Sequence, residues 1–166
     1  VTVSDALGCV DSLAIDVNEP PVLTIALDSV RATRCFGEAS GGAFVTASGG
    51  TPAYDFAWST GAVTEDVGGL TAGTHCVTVT DANGCVDSIC AVVPGPDSLG
   101  IALDADSSTC LPLSGQAYLD TVFGGTTPYS VLWNDPGAQT TDTAFGLNPG
   151  TYTVTLTDDS GCVVID

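Results

Sequence analysis

The sequence predicts an all-β chain of tandem immunoglobulin-like β-sandwich repeats, each about 76–77 residues long. Three observations predict it: one segment recurs three times, short alternating apolar and polar runs lie between Gly, Pro and Asn turns, and a Trp stands on the third strand of each period.

VTVSDALGC ends at Cys9, VTVTDANGC at Cys85 and VTLTDDSGC at Cys162, spacings of 76 and 77 residues. The rest of the period aligns too. LTIALD from Leu23 answers LGIALD from Leu99, GGTPAYDFAW ending at Trp58 answers GGTTPYSVLW ending at Trp133, and Leu70-Thr71-Ala72-Gly73-Thr74 answers Leu147-Asn148-Pro149-Gly150-Thr151. The expected domains are therefore the C-terminal strands of an incomplete repeat over 1–20, a full repeat over 21–94 and a nearly complete one over 95–166. Both ends fall within repeats, which predicts a longer parent protein.

Within the first full repeat, strands are predicted over 22–28, 42–48, 54–59, 74–80 and 86–93, with a broken strand over 62–68. Side chains alternate across a strand, so Tyr54, Phe56 and Trp58 share a core face, as do Tyr129, Val131 and Trp133. His75, Val77 and Val79 continue that face, matched by Tyr152, Val154 and Leu156. About seven strands per unit, with Trp on the third, is the pattern of an immunoglobulin-like sandwich.

The chain has 2 Lys+Arg against 20 Asp+Glu, a net charge of −18. No basic surface can be assembled, which excludes nucleic acid and anionic membranes as partners. No apolar run is long enough to span a bilayer. Seven Cys in so short a chain point to an oxidising, extracellular location. The chain starts at Val1 without a charged leader, which predicts an internal or processed segment whose export signal and anchor lie elsewhere.

Catalysis is not expected. The only imidazole, His75, aligns with Tyr152 and reads as a packing residue, and no metalloprotease, nucleophile-elbow or phosphate-loop motif occurs. Calcium is a candidate ligand because Asp104 with Asp106, Asp158 with Asp159, and Asn18 with Glu19 cluster at turns or repeat junctions, although none forms an EF-hand loop. A carbohydrate-binding sandwich is the rival function. Phe36, Tyr118 and Phe145 are the aromatics that inward alternation does not place.

Cys35-Phe36-Gly37, GGTPAY, the Trp58 strand, GLTAGT and VTVTDANGC together resemble the SprB-type repeat family, named after a gliding-motility adhesin and found in large bacterial surface proteins exported by the type IX system. Cys110-Leu111-Pro112 and DDSG depart from that pattern in the second repeat. The resemblance implies a structural stalk on the cell surface, with further repeats of the same chain as neighbours. It also implies O-glycosylation at Asp-Ser/Thr-apolar triplets, whose hydroxyl residues here are Ser12, Ser29, Ser88, Ser98, Thr121 and Thr143. In such a stalk each repeat adds about 35–40 Å of reach. The Pro94-Gly95-Pro96 linker would stiffen the junction, and self-association into fibres is compatible with the reading.

The cysteines sort by position. Cys76 and Cys90 have no counterparts in the second repeat and lie opposite each other if Asp81–Cys85 encloses a three-residue loop centred on Asn83; a tight Asn83-Gly84 turn would oppose Cys76 to Ala91 instead. Cys35 and Cys110 precede the second strand of each repeat, whereas Cys9, Cys85 and Cys162 follow the last hairpin turn. One pairing stays within repeats, Cys35 with Cys85 and Cys110 with Cys162. The other joins Cys35 to Cys162 across the junction and leaves Cys9, Cys85 and Cys110 for repeats outside the segment. The two turns sit at opposite ends of a sandwich, on the order of 20 Å apart, whereas a disulfide needs Cα atoms within about 7 Å, so the immunoglobulin-like fold favours the junction staple.

Overall fold

A computed structural model describes residues 1–106 and 114–166, and the chain is all-β throughout them. Two short strands, β1 (Thr2–Ser4) and β2 (Val10–Ser12), pair as an antiparallel hairpin whose residues are all exposed. Two larger units follow.

The first contains β3 (Thr24–Arg31), β4 (Gly41–Ser48), β5 (Tyr54–Trp58), β6 (Val67–Leu70), β7 (Gly73–Asp81) and β8 (Val86–Val93). They form two antiparallel three-stranded sheets, ordered β3-β4-β6 and β5-β7-β8. The second unit repeats the plan with β9 (Gly100–Asp106), β10 (Gly115–Phe123), β11 (Tyr129–Trp133), β12 (Thr143–Leu147), β13 (Val154–Asp158) and β14 (Val163–Ile165), in sheets ordered β12-β10-β9 and β11-β13-β14. The chain is thus built of repeating small antiparallel sheets, an arrangement consistent with stacked sandwich-like repeats.

Each unit has its own apolar core, as period-two alternation requires. Val77 and Val79 on β7 are buried with Trp58, Ala43 and Val45, and their counterparts Val154 and Leu156 are buried with Trp133 and Ala144. Both indoles also satisfy their one donor: Trp58 Nε1–H donates to the Thr64 carbonyl at 2.9 Å and Trp133 Nε1–H to the Thr141 carbonyl at 3.0 Å.

Several expectations need correction. Among the described residues each unit has six strands rather than about seven. The stretch predicted as a broken strand over 62–68 turns back toward Trp58, whose N–H bonds the Ala62 carbonyl at 2.9 Å, and strand pairing begins only at Val67. The strand predicted over 22–28 runs from Thr24 to Arg31, because a bulge between Leu27 and Ser29 absorbs Asp28 and pairing resumes beyond it. In the second unit the bulge lies on the partner strand, between Leu119 and Thr121. Tyr152 precedes β13 and is half-buried. His75 is half-buried on β7, its Nε2 3.0 Å from the Thr71 carbonyl, just as the Tyr152 hydroxyl donates to the aligned Asn148 carbonyl at 3.1 Å.

Candidate junction site

Three recurrent motifs converge on one end of each unit. Asp81 closes the β7–β8 turn by accepting the N–H groups of Asn83 (2.9 Å) and Cys85 (2.8 Å) on Oδ1. Its Oδ2 accepts the Thr51 N–H at 2.8 Å, which ties this turn to the Gly49-Gly50-Thr51 turn. Asp158 repeats the arrangement with Cys162 and Thr126, both at 2.8 Å, and Asp5 does so locally with Leu7 and Cys9. The glycine pairs make the reach possible. Gly50 and Gly125 have φ of +57° and +62°, and a Cβ on them would stand 2.6 and 2.8 Å from Oδ2 of Asp81 and Asp158. Tyr54 and Tyr129 latch the same turns by donating to the carbonyls of Gly49 and Gly124.

Asp81 and Asp158 are buried and acidified. The Thr51 N–H, followed by those of Cys85 and Asn83, holds Asp81 below its ordinary value against the opposing effect of burial. Burial raises Asp158, but the N–H groups of Cys162 and Thr126 outweigh it and the net shift is downward. Asp158 is therefore a turn clamp with both oxygens committed to backbone N–H groups, not the free oxygen ligand that its pairing with Asp159 suggested. Sequence reasoning missed this role, although an Asp four residues before each of Cys9, Cys85 and Cys162 was the available signal. Asp135 was missed as well; it is buried and held below its ordinary value by the Gln139 side chain, with the Gln139 and Gly137 N–H groups bonded to it too.

The other calcium candidates are Asp104 and Asp106, both on β9 and bonded to Tyr118 and Gln116, and Asn18 and Glu19, which are exposed outside any strand. Among the described residues no group of three His, Cys, Asp or Glu side chains is placed to hold a metal ion.

The opposite end of the first unit carries the other half of the junction. After β3 the chain turns through Thr33–Ser40: Cys35 N–H donates to Glu38, Arg34 N–H donates to the Ser40 hydroxyl at 2.9 Å, and Gly37 takes φ +73°. The Thr33 N–H donates 2.9 Å to the Pro94 carbonyl, anchoring the linker as it leaves β8. Gly95 passes so close that a Cβ would lie 2.5 Å from Thr33 Oγ1 and 2.7 Å from the Ala72 methyl.

The structure brings Cys35 and Cys162 together, with S–S 2.03 Å and Cα–Cα 5.7 Å, across 127 residues of sequence. The within-repeat alternative, Cys35 with Cys85, is not the arrangement found. Cys76 and Cys90 face each other in the β7–β8 register and are bonded, S–S 2.03 Å. Cys9 and Cys85 are free and exposed. Cys110 lies outside the described residues.

Ser12, Ser29, Ser88, Ser98 and Thr121 are exposed, and Thr143 is half-buried. Phe36 and Phe145 are 68% and 60% exposed, whereas Tyr118 is half-buried with its hydroxyl donated to Asp104. No helix among the described residues is long and apolar enough to cross a membrane.

Residues 33–63 match the SprB repeat family. That stretch begins two residues before Cys35, crosses β4 and the Gly49-Gly50-Thr51 turn, and ends beyond Trp58, so it contains the opening loop and half of the turn clamp. SprB repeats are non-catalytic structural modules, which supports a general structural role for the chain. No curated protein matches the chain.

Proposed function

We propose that this chain is a stretch of extracellular stalk in a bacterial surface adhesin or fibre. In this reading it consists of immunoglobulin-like sandwiches over 21–94 and 95–166, preceded over 1–20 by the last strands of another, and it supplies reach and stiffness while recognition resides elsewhere in the parent protein. The observation that supports it most is the tie between the two cores: a disulfide from the opening loop of one to the last turn of the other, beside a linker hydrogen-bonded to Thr33. A covalent link and a pinned linker remove hinge freedom that a bare linker would leave, which is useful in a load-bearing rod. The exposed Ser and Thr of the Asp-Ser/Thr-apolar triplets are the proposed glycan attachment points.

Small-angle scattering tests the stalk. Two units in line, each about 35–40 Å, give a radius of gyration of about 22–25 Å, against about 15 Å for a compact domain of this chain length. A value near 15 Å overturns the reading.

Glycan binding is the second reading, favoured by one face. The register of β12-β10-β9 sets Phe145 beside Gln116 and Thr143 beside Tyr118, with Asp104 and Asp106 across the sheet. An aromatic with neighbouring amide and carboxylate groups is the chemistry that sugars engage. Glycan-array binding that is lost in Phe145→Ala would favour it over the stalk.

A further inference from the structure

We infer that Cys85 is the receiving half of a second inter-repeat disulfide, formed with the opening-loop cysteine of another repeat of this kind stacked on the β7–β8 end of the first unit. The inference rests on the stalk reading and adds that the staple recurs along the array.

The first support is that Cys85 and Cys162 occupy the same built structure. Each follows an Asp-x-x-Gly turn in which the Asp N–H donates to the cysteine carbonyl (Asp81 to Cys85, 2.9 Å; Asp158 to Cys162, 3.0 Å). In each the cysteine N–H returns to the carboxylate at 2.8 Å and the glycine N–H to the Asp carbonyl at 3.0 Å. The two sulfurs are therefore presented by equivalent backbones at equivalent ends of equivalent units.

Independently, the structure shows what such a cysteine bonds: Cys162 is joined to Cys35 in the opening loop of the unit before it. Cys85, in the same position one repeat earlier, is exposed and unbonded. Nothing in its own unit can take it, because Cys76 and Cys90 are joined to each other and Cys35 is already joined to Cys162.

Charge points the same way for an opening loop like that of the first unit, whereas the sequence around Cys110 carries no Lys or Arg. The only two Lys or Arg residues in a chain of net charge −18 are Arg31 and Arg34, both within four residues of Cys35. The last turns that receive the opening loop are acidic, with Asp81 in one and Asp158 and Asp159 in the other. A cationic loop delivering its cysteine to an acidic turn is attractive at short range and helps set which ends meet.

The chemistry is thiol–disulfide exchange with a protein or small-molecule disulfide of the oxidising compartment as oxidant. Two thiols and one donor disulfide give the new S–S bond and two donor thiols. The two electrons pass to the donor, and the protons of the original thiols end on its sulfurs.

The test elongates the full chain by repeating residues 21–96 ahead of residue 21, which keeps the 76-residue period and the Pro94-Gly95-Pro96 linker between the copies, with Val86→Ile marking the inner Cys85 peptide and Phe36→Tyr the inner Cys35 peptide. In the 166-residue chain Cys85, free and exposed, should alkylate under native conditions. In the elongated chain the inner Cys85 should lose alkylation and appear, without reduction, linked to the outer copy's Cys35, while the inner Cys35 stays linked to Cys162. Cys35→Ser in the outer copy alone should restore alkylation of the inner Cys85. The inference is overturned if the inner Cys85 alkylates as before while Cys35–Cys162 persists, or if Cys35 and Cys85 of one copy are linked. Should the elongated chain fail to retain Cys35–Cys162, mapping of unreduced native material decides: Cys85 linked to another repeat's opening cysteine upholds the inference, and a free Cys85 overturns it. Scattering can still return a rod when this staple is absent, so the two readings fail separately.

Discussion

Removing the Cys35–Cys162 link by the double substitution Cys35→Ser/Cys162→Ser should destabilise the chain more than removing Cys76–Cys90, and the gap follows from loop length. In chain-entropy terms, a cross-link closing 127 residues restricts the unfolded chain by about 5 kcal/mol at 25 °C, and one closing 14 residues by about 3 kcal/mol. The expected difference is about 2 kcal/mol, provided that unfolding frees the intervening chain in both cases. The long cross-link also couples the two cores, because opening either one alone still leaves its chain tethered to the folded other. Its loss should therefore split a single transition into two, one for each core, whereas loss of Cys76–Cys90 should lower that transition without splitting it. Urea unfolding followed by the fluorescence of Trp58 and Trp133 reads both effects, since each core holds one buried indole. Trp58→Phe and Trp133→Phe versions assign the transitions. Equal losses from the two double mutants, or one unsplit transition without the staple, would refute the reasoning.

Further predictions concern the clamps, the glycine turns and the hydroxyl triplets. Asp81 and Asp158 are held below their ordinary value of 3.8, so their contribution is complete above that value and is lost as pH falls through the lower folded value. Asp81→Asn should thus be destabilised relative to the parent at pH 7, with the gap narrowing below about pH 4 in paired urea titrations; a gap that does not change with pH counts against an ionised clamp. Gly124→Ala should cost clearly more than the roughly 1 kcal/mol of a left-handed alanine, because its Cβ would stand 2.0 Å from the Ser98 carbonyl at φ +69°. Gly161→Ala, at φ +81° with nothing within 4 Å, should show the backbone cost alone, which thermal melts of the pair would measure. Native material should exceed its polypeptide mass by whole glycan units, and Ser29→Ala and Ser88→Ala should each remove one; a mass equal to the bare chain, after counting disulfides, ends that proposal.

The sequence alone determined the period, the all-β class and most strand positions, because these depend on local rules that recur every 76–77 residues. Alternation sends every second side chain inward, so it places Trp58, Val77, Val79, Trp133, Val154 and Leu156 in the cores, where they are buried. It also offered Cys76 opposite Cys90 as one of two registers, since a hairpin carries its register in its turn, and the observed pairing is that one rather than Cys76 with Ala91.

Tertiary structure decided what depends on distance between segments remote in sequence. Equivalent cysteines have equivalent local surroundings, so only the meeting of two ends distinguishes Cys162, bonded to Cys35, from Cys85, left free. Asp158 looked like a cation ligand in a turn until the Thr126 N–H, 32 residues away, was seen to occupy its second oxygen. The extra residue of each bulge, Asp28 on β3 but near Asp120 on β10, was likewise invisible to a pattern read one strand at a time, since a bulge is a mismatch between two strands.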